Sequence, residues 1–150
     1  MAKKRSERLR SLLKLAHLRE DNAARKLADS AEKLSQVKQQ SRQLSLYNTE
    51  YQQQYRQRTQ QQVSVRELHN YLGFFQQLDT VQLQQQMLVE QCDGELEEAR
   101  RQWLQVYHRR RVLDDIRARS LVEEEAVRER KLQSELDDRA ARRDPSRHRN

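Results

Sequence analysis

The residue types that most often carry chemistry are few in this chain and poorly placed for it. Its four histidines, His17, His69, His108 and His148, are scattered, and none stands in an HExxH or Cys/His ligand spacing. The single cysteine, Cys92, can form neither an intramolecular disulfide nor a multi-cysteine metal site. It falls on an apolar stripe, where a small buried hydrophobe is its expected role. Two isolated glycines cannot build a phosphate-cradling loop. The acidic runs, Asp114–Asp115, Glu123–Glu125 and Asp137–Asp138, lie among arginines, as on a solvated helix face. No catalytic, cofactor-binding or metal site is expected, and the chain reads as a non-enzyme.

What remains is the chemistry of contact. YNTEYQQQY (Tyr47–Tyr55) repeats tyrosine at four-residue spacing, and HNYLGFFQQLD (His69–Asp79) sets Phe74 beside Phe75. Arginine is concentrated elsewhere: residues 1–30 carry net charge +5, residues 31–107 net −1 and residues 108–150 net +3, out of +7 in all. Aromatic and basic clusters of this kind bind partners only if a scaffold holds them in place.

That scaffold is helical. Charged and apolar residues each make up 35% of the chain, which has only two glycines and one proline; this disfavours turn-rich folds and favours long helices. Steps of four and three from Leu9 meet Leu13, Ala16, Glu20, Ala23, Leu27, Ser30, Leu34, Val37, Ser41, Leu44, Asn48, Tyr51 and Tyr55. Most are apolar, a sustained heptad signal, and the polar members forecast a loose seam. A second stripe runs from Leu68 through Tyr71, Phe75, Leu78, Gln82, Gln85, Val89, Cys92, Leu96, Ala99, Trp103, Val106 and Arg110 to Leu113.

The stripes are separated by TQQQVSVREL (Thr59–Leu68), where Ser64 and Glu67 have capping-box spacing and Val63 and Leu68 flank them as a staple. The spacing predicts helix one over 6–58, a turn over 59–64 and helix two over 65–143, with an unstructured tail 144–150 that stops the helix at Pro145. The expected fold is all-α: a single unit, a long antiparallel two-helix coiled-coil hairpin, stalk-like, with helix two the longer. Leu9 should face Ile116, leaving the rest of helix two to overhang, supported by pairs such as Glu124–Arg128, Glu135–Arg139 and Asp138–Arg142.

Folding back at the turn sets Leu44 opposite Val81, Tyr47 opposite Leu78, Tyr51 opposite Phe74 and Gln40 opposite Gln85. Adjacent helical residues point about 100° apart, so Phe75 is expected in the seam and Phe74 at its margin. These residues form either a wide apolar seam or a partner-binding patch; apolar groups rimmed by glutamine favour the patch. The same folding brings both basic segments to one end. A second reading, a basic coiled coil that binds nucleic acid, has the charge but no visible binding module, and the arginines alternate with acids. Contact with anionic lipid is expected to be weak, because the N-terminal helix also carries Glu7, Glu20 and Asp21. The apolar run at the N-terminus is broken by Lys14, His17 and Arg19, so no signal peptide and a cytoplasmic location are expected.

Leu44, Tyr47, Glu50 and Tyr51 form L-x-x-Y-x-x-E-Y, and Asn70, Tyr71, Phe74 and Leu78 form N-Y-x-x-F-x-x-x-L. In this order, and continuing through Trp103 to LDDRAARR (Leu136–Arg143), the chain resembles the flagellar type III export protein family FliJ. The resemblance implies a small, non-enzymatic component of the export apparatus, located at the cytoplasmic face of the cell membrane. It implies a stalk entering the hexameric ring of the export ATPase FliI, contact with the membrane export gate protein FlhA, and handling of export chaperones. Nucleic acid is not an implied partner, and membrane contact is indirect. Carried over by position, the gate-binding surface comprises Gln40, Leu44, Tyr47, Tyr51, Phe74, Leu78, Val81 and Gln85, with Val81 and Gln85 departing from the family's alanine and histidine. The basic end offered to the ring comprises Lys3, Lys4, Arg5, Arg109, Arg110 and Arg111.

Overall fold

The computed structural model describes residues 4–143 and contains two α-helices packed against each other, α1 (Arg5–Thr59) and α2 (Val65–Arg143). Lys3, Pro145 and the rest of the expected tail lie outside the described residues. At 55 and 79 residues the helices are unequal in the sense expected. Neither is strongly amphipathic, because the buried stripe is narrow and charged or amide side chains fill the remaining circumference.

α2 begins where the capping signals place it. The Glu67 amide donates to Ser64 Oγ at 3.2 Å, and the Leu68 amide donates to the Ser64 carbonyl at 3.1 Å. Only half of the capping box forms: the Glu67 carboxylate accepts from Arg58 Nη2 at 3.4 Å across the turn instead of reaching back. Arg58 also donates to Gln61 Oε1 at 3.1 Å, and with Arg56 it places positive charge on the last turn of α1.

Contacts divide the chain into two compact units, each built from a piece of both helices. Asn22–Leu104 forms one, including the turn. Its core is Leu34, Val37 and Cys92, with Val89 and Leu96 packed against them. Cys92 is 1% exposed and acts as the small buried hydrophobe expected of it. Toward the turn the seam becomes polar: Asn48 Nδ2 donates to Gln82 Oε1 at 3.1 Å, and Gln85 Nε2 donates to the Val37 carbonyl at 3.3 Å. Asn48 Oδ1 is buried without a partner, so part of this seam is costly to close.

Residues up to Asp21, with Gln105 onward, form the other unit. Leu9, Leu13 and Ala16 are buried along its seam, together with Ser6 and Ser120. Pairing extends further along α2 than the expected end at Ile116. The Ser6 hydroxyl and amide donate to the Glu124 carboxylate at 2.6 and 3.2 Å, so a side chain of α2 caps the first turn of α1. Bonded to Ser6, Glu124 does not meet Arg128, which pairs with Glu125 at 2.8 Å instead. The expected Glu135–Arg139 and Asp138–Arg142 pairs are not formed among the described residues. Past Ala126, α2 is exposed almost throughout, Leu132 and Leu136 included.

Candidate functional site

In the unit that contains the turn, the four-residue spacing of Tyr47, Tyr51 and Tyr55 lines their rings along one side of α1, facing Tyr71, Phe74 and Phe75 of α2. Tyr51 is the hub. Its ring centroid lies 4.3 Å from Phe74, 5.3 Å from Phe75, 5.6 Å from Tyr71 and 6.5 Å from Tyr47. Tyr55 extends the cluster edge-on to Tyr71 at 5.3 Å and to Phe75 at 5.2 Å. Burial pushes the Tyr51 phenol pKa up, and the neighbouring phenols of Tyr71 and Tyr47 push it the same way. The hydroxyl therefore stays neutral at physiological pH.

The eight residues of the expected gate surface differ in access. Leu78 is buried, while Leu44, Tyr51, Phe74 and Gln85 are half-buried. Gln40, Tyr47 and Val81 are exposed. Phe74 and Phe75 do not divide into margin and seam, since both are half-buried. The physical reason is Tyr51, whose ring reaches both and widens the contact between the helices beyond a single stripe. Tyr55 and Tyr71 belong to the same aromatic cluster although the expected surface omitted them. The tyrosine repeat was the signal that could have included Tyr55.

In the other unit the expected basic set separates into different roles. Lys4, Arg5, Arg109 and Arg111 are exposed. Arg110 is half-buried and engaged internally: its Nε lies 2.5 Å from Glu20 Oε2 and its Nη1 2.6 Å from Asp114 Oδ2. The hydrogen bonds to Asp114 and then Glu20 raise its pKa. Arg110 is thus a seam residue that satisfies Glu20 and is not available as a free cation. Arg111 donates to the Tyr107 hydroxyl at 3.3 Å, and both guanidiniums lie over the Tyr107 ring, at 5.3 and 5.8 Å. Sequence reading gave Tyr107 no role. Arg109 faces a shallow groove of about 380 Å³ with Leu12, Leu15, Ala16, Arg19, Gln105, Val106 and Leu113.

No cluster of three metal-ligating side chains occurs among the described residues, and no helix there is long and apolar enough to cross a membrane. Two long packed helices displaying an aromatic cluster and separate exposed arginines define a helical coiled-coil protein. The chain belongs to the flagellar FliJ protein family, whose model matches residues 5–149, and that family is a non-enzymatic component of flagellar protein export. No match is found among curated proteins or among solved structures.

Proposed function

We propose that this chain couples the flagellar export ATPase to the membrane export gate and assists the handling of export chaperones. In this reading the basic segment enters the hexameric ring of FliI through Lys4, Arg5, Arg109 and Arg111, with Lys3 beside them in sequence. The aromatic surface meets the cytoplasmic part of FlhA. Flagellum assembly and motility depend on both contacts, and the protein works at the cytoplasmic face of the cell membrane.

The observation that carries the reading is the half-exposed Tyr47 ring. It lies 6.5 Å from both Tyr51 and Phe74 and presents about half its surface to solvent. An aromatic side chain resting against its neighbours yet open on one side has the character of an interface anchor. The test is a pull-down of the full chain with the export ATPase and, separately, with the cytoplasmic part of the gate protein. Capture of neither would refute the coupling role. A tight complex with duplex DNA at physiological salt would favour the nucleic-acid reading instead.

A further inference from the structure

Five leucines crowd the first turns of α1, and helix pairing buries only two of them. Leu9 and Leu13 lie in the seam, whereas Leu12, Leu15 and Leu18 remain 51%, 44% and 57% exposed. At about 100° per residue, three residues spaced by three fan across roughly 120° of the helix surface. From Arg8 to Arg19 the helix reads RLRSLLKLAHLR, which contains cations and no carboxylate. Arg8 stands one turn before Leu12 and Arg19 one turn after Leu15, so both fall within the leucine arc. Arg109 of α2 joins them across the groove that Leu12 and Leu15 line. The side chains of Arg8, Arg19 and Arg109 form no ion pair or hydrogen bond among the described residues.

None of the acids that argued against lipid contact lies within the leucine arc. Glu20 is turned into the seam and held by Arg110. Asp21 lies about 60° beyond Leu18 and Glu7 about 20° beyond it, so both flank the Leu18 edge of the leucine arc and neither lies within it.

We propose that this face lies directly on an anionic membrane surface. Leu12, Leu15 and Leu18 enter the boundary between headgroups and acyl chains, and Arg8, Arg19 and Arg109 meet lipid phosphates. Leucines interleaved with cations on one helical face are the pattern of interfacial helices. A lipid surface fits better than a protein for two reasons. The charges within the leucine arc, with Arg109 across the groove, are all of one sign, which suits a uniformly anionic surface, whereas the polar rim of a protein interface also needs paired donors and acceptors. The leucines also fan over a convex helix surface, with Leu18 outside the groove, so a flat, deformable layer can cover all three together. This contact does not rest on the coupling role, but both use Arg109, so lipid contact and ring entry are alternative engagements of the same segment.

The experiment is flotation of the full chain with phosphatidylcholine vesicles, with and without phosphatidylglycerol, at low and physiological salt. Binding is expected only to the anionic vesicles and should weaken as salt rises. Arg8→Gln with Arg19→Gln should lower the partition coefficient by roughly fivefold per cation. Leu12→Gln, Leu15→Gln and Leu18→Gln together should abolish flotation. Leu18→Gln alone should weaken it several-fold with an unchanged circular dichroism melt, so folding and binding are read separately. Failure to float with anionic vesicles at low salt would overturn the proposal. So would flotation that survives the leucine substitutions, because net charge alone would then be responsible. Sedimentation showing that a second copy covers this face, with dimers dispersed by the same substitutions and no vesicle binding, would overturn it as well.

Discussion

Replacing Tyr47 with alanine tests the gate-binding surface with the least disturbance to the fold. Tyr47 is 50% exposed, and its ring contacts are a stack on Tyr51 and an edge contact with Phe74, both at the long separation of 6.5 Å. A well-formed aromatic pair contributes about 0.5–1.5 kcal/mol beyond its area, and these two loose pairs fall at the low end of that range. Tyr47→Ala should therefore cost about 1 kcal/mol, or roughly 2–4 °C in the melting midpoint of a chain this size. Phe74→Ala is a different perturbation. Its ring lies 4.3 Å from the Tyr51 ring and is half-buried, so about half the 3–5 kcal/mol of a fully buried Phe truncation is expected. Phe74→Ala should thus lose roughly 2 kcal/mol and melt clearly earlier. An interface anchor typically costs about 2 kcal/mol or more of binding when truncated, at least a tenfold loss of affinity. Circular dichroism melting and titration with the gate protein's cytoplasmic part read the two effects separately. Near-native melting with at least tenfold weaker gate binding is expected for Tyr47→Ala. Native affinity in that variant would make the aromatic cluster a seam only and refute the assignment.

Further outcomes follow from single contacts. Ser64→Ala should cost about 1 kcal/mol and speed hydrogen exchange at the Glu67 amide, which loses its 3.2 Å acceptor. Cys92→Ser buries a hydroxyl against Leu34 and Val37 and should cost about 1–3 kcal/mol, seen as an earlier melt. The Ser6 hydroxyl and then its amide hold the Glu124 carboxyl below its ordinary value. Its stabilising contribution is therefore complete above the unfolded glutamate pKa of about 4.3 and is lost as pH falls through the lower folded value. Melts across that acid range should show this decline, and Ser6→Ala should flatten it. Arg109→Gln with Arg111→Gln should weaken docking to the ATPase ring, more so at low salt, whereas ring binding unchanged at every salt concentration would remove these residues from the ring contact.

The helix pattern was highly legible in the sequence, because burial along a two-helix seam is periodic and a period can be read without coordinates. Each expected stripe position of α1 from Leu9 to Tyr55 is buried or half-buried, and on α2 Leu68 alone stays exposed. The helix start at Val65 was legible for a local reason: Ser64 caps it through an amide three residues away. The end of pairing was not. It depends on Ser6 meeting Glu124, a contact across 118 residues between two polar side chains that no apolar repeat announces.

The same distinction explains the surfaces. A heptad stripe selects the residues that face the partner helix, but it is silent about apolar residues left over, and Leu12, Leu15 and Leu18 are left over. It is equally silent about which charges are free. HRRR (His108–Arg111) looks like one basic patch in the sequence. Helical geometry turns Arg110 inward to Glu20 and Asp114 while Arg109 faces the groove. Because Glu20 occupies a seam position, its charge needs a partner from the facing helix, and Arg110 is the seam cation that supplies it. With Glu20 held in the seam, the charged side chains within the leucine arc of α1 are cations, and Glu7 and Asp21 flank it. The charge of a helical surface is therefore set by which ion pairs the seam consumes as well as by the composition of the segment.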